Sequence, residues 1–147
     1  MEFRKRMKNQ LTFKIQDFSG WTMFIFGLLA ILLGLVGLIR PEWTLTLLNF
    51  NIVERIQRAN TDYTLVFVTA SSMASFNMGI YYILAVFSNF KPFYAWTVPF
   101  RVVTFSVFLL AVISKLAPMA FIAVALWELT GALFTGVALY LERRKKA

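Results

Sequence analysis

Two charged side chains lie inside apolar segments of this sequence, and their chemistry is the first feature to explain. Arg101 stands near the start of an apolar segment at residues 99–113, and Glu128 lies within the next, at residues 118–141. A charged group in hydrocarbon costs several kcal/mol unless it is partnered or neutralised. We therefore expect these two residues to form either a functional site or an architectural ion pair.

Two further polar residues are candidates for the same buried site. Asn77 lies in the middle of an earlier apolar segment, and Tyr81 follows one helical turn later. At ~1.5 Å per residue, the depths of Asn77, Arg101 and Glu128 allow their side chains to meet, with Tyr81 or Tyr82 beside them. Two alternatives stay open for Arg101, which either pairs with Glu128 or extends to the lipid headgroups. In the second case Glu128 is expected to be protonated and hydrogen-bonded.

The composition excludes several kinds of catalytic and binding site. The sequence has no cysteine and no histidine, which removes disulfides, thiol chemistry, imidazole acid–base catalysis and zinc clusters. A lone carboxylate can act as a general acid or base, but it lacks the usual helpers, and there is no glycine-rich phosphate loop. No catalytic residue, metal site or cofactor is predicted.

The hydrophobic content is typical of a membrane protein. The 147 residues are 59% hydrophobic and only 15% charged, whereas about a quarter of a soluble domain is charged. Four apolar runs come close to the ~20 residues that a helix needs to cross a bilayer. We predict an all-α polytopic membrane protein, a four-transmembrane-helix bundle that forms a single domain over residues 1–147. The predicted spans are about 19–39, 63–88, 97–114 and 118–141.

The basic residues are expected to set the orientation in the membrane. A net charge of +8 would suggest nucleic acid in a soluble protein, but here the lysines and arginines sit in short clusters beside the apolar runs. Eleven fall on the side of the termini and four on the other, which predicts cytoplasmic termini, in a bacterial inner or plasma membrane. Residues 1–18 are either an amphipathic helix on the membrane surface or a plain basic flank. The predicted partner is the lipid bilayer, and no nucleic acid is expected.

The segment 40–62 is predicted to lie outside the membrane. It carries six charged residues, and Pro41 blocks simple continuation of the first helix. Its apolar residues, among them Trp43, Leu45 and Ile56, favour an interfacial segment that lies against the bilayer or caps the bundle. A contact with a partner or a ligand is the alternative.

Small residues recur at helical spacing and indicate surfaces where helices approach closely. Such residues mark helix interfaces in membrane proteins. They fall in the first, second and fourth predicted spans. The residues predicted to serve helix packing are Gly27, Gly34, Ser71, Ser75, Gly79, Gly131 and Gly136.

The last third of the chain carries an ordered set of features. Arg101 opens a span, Lys115 closes it, the run 127–132 (Trp-Glu-Leu-Thr-Gly-Ala) lies in the next span, and Gly136 precedes a basic end. This order resembles the DoxX-like group of small four-helix membrane proteins, in which a Glu-Leu-x-Gly-Gly segment follows such a span. Here Ala132 replaces the second glycine. The resemblance implies links to quinone-dependent sulfur oxidation or oxidative-stress complexes, carried by the carboxylate, the arginine and the glycines.

Three classes of function are compatible with these features. The sequence favours an accessory or scaffold subunit of a membrane complex, with another membrane protein or a second copy of the chain as partner, because it supplies packing surfaces and little chemistry. The alternative is a binder or carrier of a small lipophilic or quinone-like molecule at the buried Glu/Asn/Arg site. An enzyme comes third. A channel or transporter is not favoured, because the few polar positions give no continuous lining.

Overall fold

The computed structural model describes residues 14–145, and the regular elements in that range are all helical. Five α-helices follow one another, and four of them are long and apolar enough to cross a membrane. The prediction of an all-α fold with four long apolar helices is therefore confirmed. The predicted N-terminal amphipathic helix or basic flank lies mostly outside the described residues. The α-helices are α1 (Phe18–Ile39), α2 (Pro41–Leu47), α3 (Thr64–Phe87), α4 (Lys91–Ile113) and α5 (Ile122–Arg144), with 3-10 turns at Arg55–Gln57 and Met119–Phe121.

The helix ends follow from local sequence chemistry. Asp17 caps α1 by accepting a hydrogen bond from the Gly20 N–H (2.8 Å). Three helices end in the same left-handed motif, in which Asn49, Asn89 and Lys115 have φ of 58°, 49° and 61° after α2, α3 and α4. In each case the next N–H bonds back to a carbonyl five residues earlier, which satisfies the last turn.

The start of α4 differs from the sequence prediction. The helix begins at Lys91 rather than near Thr97, because Pro92 occupies its first turn, where a missing N–H costs nothing. The predicted span 97–114 would place Pro99 in the first turn, whereas Pro99 lies inside the observed helix. Arg101 therefore stands ~15 Å along α4 at ~1.5 Å per residue, well beyond the single turn expected.

The four long helices form two closely packed pairs. Helix α1 packs along α3, α4 packs along α5, and α1 also contacts α5. The consecutive helices α3 and α4 scarcely touch each other. This arrangement leaves a gap between α3 and α4, with α1 and α5 behind it.

Glycines let α1 and α3 approach closely. A Cβ on Gly79 would lie 2.6 Å from the Gly27 carbonyl oxygen, and one on Gly34 would lie 2.7 Å from the Phe76 nitrogen. Ser75 adds a hydrogen bond from its hydroxyl to the Ala30 carbonyl oxygen (3.1 Å). The small residues of these helices therefore serve packing within the chain.

Ser71 departs from the predicted packing stripe. It is exposed and donates to the Val68 carbonyl of its own helix (2.9 Å), while the neighbouring Ser72 is buried beside Gly37. Residues four apart drift around an α-helix by ~40° per step, because a turn holds 3.6 residues. Ser71 lies two such steps from Gly79, so its side chain no longer faces the interface between α1 and α3.

The segment 40–62 packs only in part. Leu45 of α2 is buried, and the Phe50 ring stacks edge-on against Phe121 (6.1 Å between centroids). Ile52, Val53 and Ile56 are exposed. The predicted cap over the helices is thus limited to α2 and the residues that follow it directly.

Candidate ligand-binding cleft

The gap between α3 and α4 is a cleft of about 760 Å³. All four long helices contribute to its lining, which is mostly apolar and rich in aromatic rings. Its two charged side chains are Arg101 and Glu128, so the sequence prediction that these residues share a site agrees with their placement. Clefts of a few hundred to a thousand Å³ with few polar groups are typical of small-molecule sites.

Arg101 is the most unusual residue of the cleft. Its side chain is only 4% exposed, and its guanidinium stacks 3.9 Å from the centroid of the Phe26 ring and 5.1 Å from that of Tyr82. The Nε and Nη1 atoms are buried and have no hydrogen-bond partner among the described residues. The aromatic faces offset part of the cost of burying the charge, but the donors remain unsatisfied.

Gly131 makes room for this guanidinium. A Cβ at Gly131 would lie 2.0 Å from Arg101 Nη1 and 2.5 Å from Cζ of Phe26. Any other residue here would have to displace the arginine or the ring. Gly131 was predicted to serve helix packing, and it lies against Arg101 of α4 as well as against Phe26 of α1.

Glu128 borders the same cleft without pairing with Arg101. It is half-buried, and within residues 14–145 no salt bridge joins the two side chains. Arg101 also does not extend to the end of the helices, because it is buried against Phe26. Neither of the two alternatives open from the sequence is therefore observed.

Arg101, Gly131 and Glu128 can be compared by their levels along α4 and α5. Lys91 and Glu142 are in contact, so levels along α4 and α5 can be counted from them. At ~1.5 Å per residue, Arg101 lies ~15 Å, Gly131 ~17 Å and Glu128 ~21 Å from that end. Arg101 and Gly131 therefore lie at nearly the same level, in agreement with the contact between Arg101 Nη1 and the Cβ position of Gly131, and Glu128 lies about one turn of α5 further from that end.

Asn77 and Tyr81 do not belong to the cleft. Tyr81 is 54% exposed, and Asn77 is half-buried outside the lining. The face of α3 that lines the cleft includes Met78 and Tyr82, one position further along than the predicted pair. One residue turns an α-helix by ~100°, so Asn77 and Tyr81 face elsewhere. The structure therefore does not bring Asn77 and Tyr81 together with Arg101 and Glu128, and Tyr82 lines the cleft instead.

A second polar cluster, at the end of the helices near Lys91, was not anticipated from the sequence. Ser19 at the start of α1 donates its N–H and its hydroxyl to the two carboxylate oxygens of Glu142 (2.8 and 2.9 Å). Lys91 donates to Ser19 Oγ (2.7 Å) and forms salt bridges with Glu142 (3.0 Å) and Asp17. Glu142 thus satisfies a free N–H of α1 and holds α1, α4 and α5 together. The available signal was that Asp17, Lys91 and Glu142 flank spans ending on the same side.

The charge of Asp17 is stabilised in this cluster. Burial acts to raise the pKa of Asp17, but hydrogen bonds from Lys91 and the Gly20 N–H, together with the charge of Lys91, outweigh it. The pKa of the carboxyl therefore lies below its ordinary value. The described part of the chain holds no group of three or more acidic residues that could bind a metal ion.

Comparisons with known proteins add no relative. The chain matches no protein-family model, no curated protein and no solved structure. The resemblance to the DoxX-like group therefore stays a prediction, and the function has to be argued from the cleft.

Proposed function

We propose that the chain inserts into a membrane through α1, α3, α4 and α5 and binds a small lipophilic molecule in the cleft between α3 and α4. Of the functions considered from the sequence, this is the alternative rather than the first choice. The cleft is of suitable size and mostly apolar, and the helices on either side of it do not close it. A hydrophobic molecule dissolved in the lipid enters sideways through this opening.

The observation that carries the proposal is that two donor atoms of Arg101, Nε and Nη1, have no hydrogen-bond partner among the described residues. An arginine that is 96% buried with two such atoms is costly, and native structures normally pair buried polar groups. A bound molecule with an acceptor oxygen supplies a partner for the guanidinium. Phe26, Tyr82 and Gly131 hold the guanidinium in place at the cleft, as a binding residue requires.

The accessory-subunit interpretation has less support. It depended on small-residue surfaces free to receive a partner, whereas Gly27, Gly34 and Gly79 are used in the contact between α1 and α3. The space beside Gly131 is occupied by the Arg101 side chain. The proposal of a binding protein rests on a feature that internal packing does not explain.

Native mass spectrometry of the gently solubilised protein tests this function. The parent is expected to carry a small lipophilic molecule, and Ala74→Phe, which places a ring in the cleft, is expected to lose it. Ala70→Phe is the matched control, because Ala70 lies one turn away on an exposed part of α3 outside the cleft. Equal occupancy in both variants, or a bound protein in place of a small molecule, would contradict the proposal.

A further inference from the structure

The charges of the cleft restrict the kind of molecule that it can bind. This step rests on the proposed function and concerns the head group of the ligand. In the described parts of the four long helices, Arg101 and Glu128 are the only charged residues away from the helix ends. Their charges are opposite and cancel when both are ionised, so the cleft then carries no net charge. A charged ligand would leave a net charge in hydrocarbon, which is costly.

The depth of the site leads to the same conclusion. Helix α4 is 23 residues long, and Arg101 lies ~15 Å from its start, about half of a ~30 Å hydrocarbon layer. The charged head of a phospholipid or a fatty acid stays at the membrane surface, because moving it to the centre costs several kcal/mol. A neutral polar head on a lipophilic molecule reaches this depth at much lower cost.

The donors available then define the head group. Arginine offers only N–H donors, so its partner must present an acceptor oxygen or nitrogen. Arg101 and Glu128 line the cleft together with the aromatic rings of Phe26 and Trp127, whose centroids are 4.5 Å apart. We infer that the cleft takes a neutral lipophile whose head presents a carbonyl oxygen, which accepts a hydrogen bond from Arg101 while Glu128 balances the arginine charge.

A series of probes with one dodecyl tail and different heads tests this inference. The heads are a methyl ketone, a carboxylate and a trimethylammonium group, with plain dodecane as the headless control. The protein is placed in phosphatidylcholine nanodiscs, and bound probes are counted by native mass spectrometry. Dividing the occupancy of each probe in the parent and in each variant by that in Ala74→Phe, whose cleft is filled, removes the different solubilities of the probes in lipid.

The expected result is selective binding of the ketone by the parent. Arg101→Gln should weaken ketone binding about tenfold, the effect of losing one hydrogen bond to a charged donor. Glu128→Gln leaves a net positive site, so it should raise carboxylate binding about tenfold. Lys145→Gln removes a charge at an exposed position outside the cleft and should change neither.

The contrary results separate the inference from the proposed function. If the parent prefers the carboxylate, or binds dodecane as well as the ketone, the inference about the head group is wrong and lipophile binding stands. If Ala74→Phe changes the occupancy of no probe, the proposed function itself is wrong. Should Arg101→Gln fail to fold, the carboxylate response of Glu128→Gln decides the inference alone.

Discussion

At the scale of single residues, the site depends on the fit of the Arg101 guanidinium against Gly131, which has no side chain. Arg101 is held between aromatic rings, and its Nη1 atom occupies the place where a Cβ of residue 131 would stand. Gly136, five residues further along α5, has no such neighbour, because a Cβ there would meet Val98 at an ordinary 3.5 Å. A side chain at position 136 therefore fits without a collision, whereas one at position 131 would collide with Arg101 and Phe26.

Gly131→Ala and Gly136→Ala form a matched pair that tests this difference. Gly131→Ala displaces Arg101 or Phe26 and should destabilise the protein by about 1–3 kcal/mol, the usual cost of overpacking. Gly136→Ala should be neutral or stabilising by up to about 1 kcal/mol, because alanine is the better helix former. Thermal unfolding in detergent measures both. Equal stability of the two variants would mean that Arg101 does not occupy the space beside Gly131.

At the scale of the helices, the cluster of Asp17, Ser19, Lys91 and Glu142 fixes one end of the structure while the gap between α3 and α4 stays open. Lys91 lies at the start of α4, where the helix dipole is unfavourable for a cation. Its two carboxylate partners, from outside α4, compensate for that position. The cluster therefore aligns α4 with α1 and α5 and sets the level at which Arg101 enters the cleft.

Asp17→Asn tests the electrostatic part of this cluster, because asparagine keeps the helix cap and removes only the charge. The pKa of Asp17 is lowered in the folded state, so its charge contributes stability above its unfolded value near ~3.9. That contribution is lost as the pH falls through the folded pKa. At pH 7 the variant should be less stable by about 1 kcal/mol, and the difference should disappear in acid.

The control for this prediction is Glu54→Gln, which removes an equal charge at an exposed loop position. It should leave the unfolding midpoint unchanged at every pH. A difference between the parent and Asp17→Asn that persists at pH values below the folded pKa of Asp17 would show that the charge is not what stabilises the cluster.

At the scale of the whole molecule, the described ends of the chain meet on one side. Ser19 and Glu142 are joined by two hydrogen bonds, and the segment 40–62 follows α1 at the opposite end. Which side faces the cytoplasm is a prediction from the basic residues. The chain has no cysteine, so single introduced cysteines report cleanly.

Cysteines in place of Lys8 and Lys145 should be labelled by a membrane-impermeant thiol reagent only from the cytoplasmic side. A cysteine in place of Arg55 should be labelled only from the other side. The expected pattern follows from the excess of basic residues near the termini. Labelling of Lys8→Cys and Lys145→Cys from opposite sides would contradict four spans, and full reversal would contradict only the orientation.

The sequence predicted the four long helices and the two charges of the site, because both signals are local. Runs of apolar residues specify a long buried helix, and a charge within such a run is conspicuous. What it did not predict depends on how helices are placed. The start of α4 was predicted near Thr97 instead of Lys91, because either Pro92 or Pro99 could occupy the first turn of the helix. Asn77 and Tyr81 were chosen because each residue turns a helix by ~100°, and the sequence of one chain does not show which side of the helix faces its neighbour.

The central claim is that the guanidinium of Arg101 faces a cleft that receives a ligand. A crystal structure of the protein grown in a lipidic mesophase, without prior delipidation, tests it most directly. The account predicts an open gap between α3 and α4, with Arg101 against Phe26 and elongated non-protein density that ends within hydrogen-bonding distance of the guanidinium. A closed gap with Arg101 bonded directly to Glu128 would contradict it.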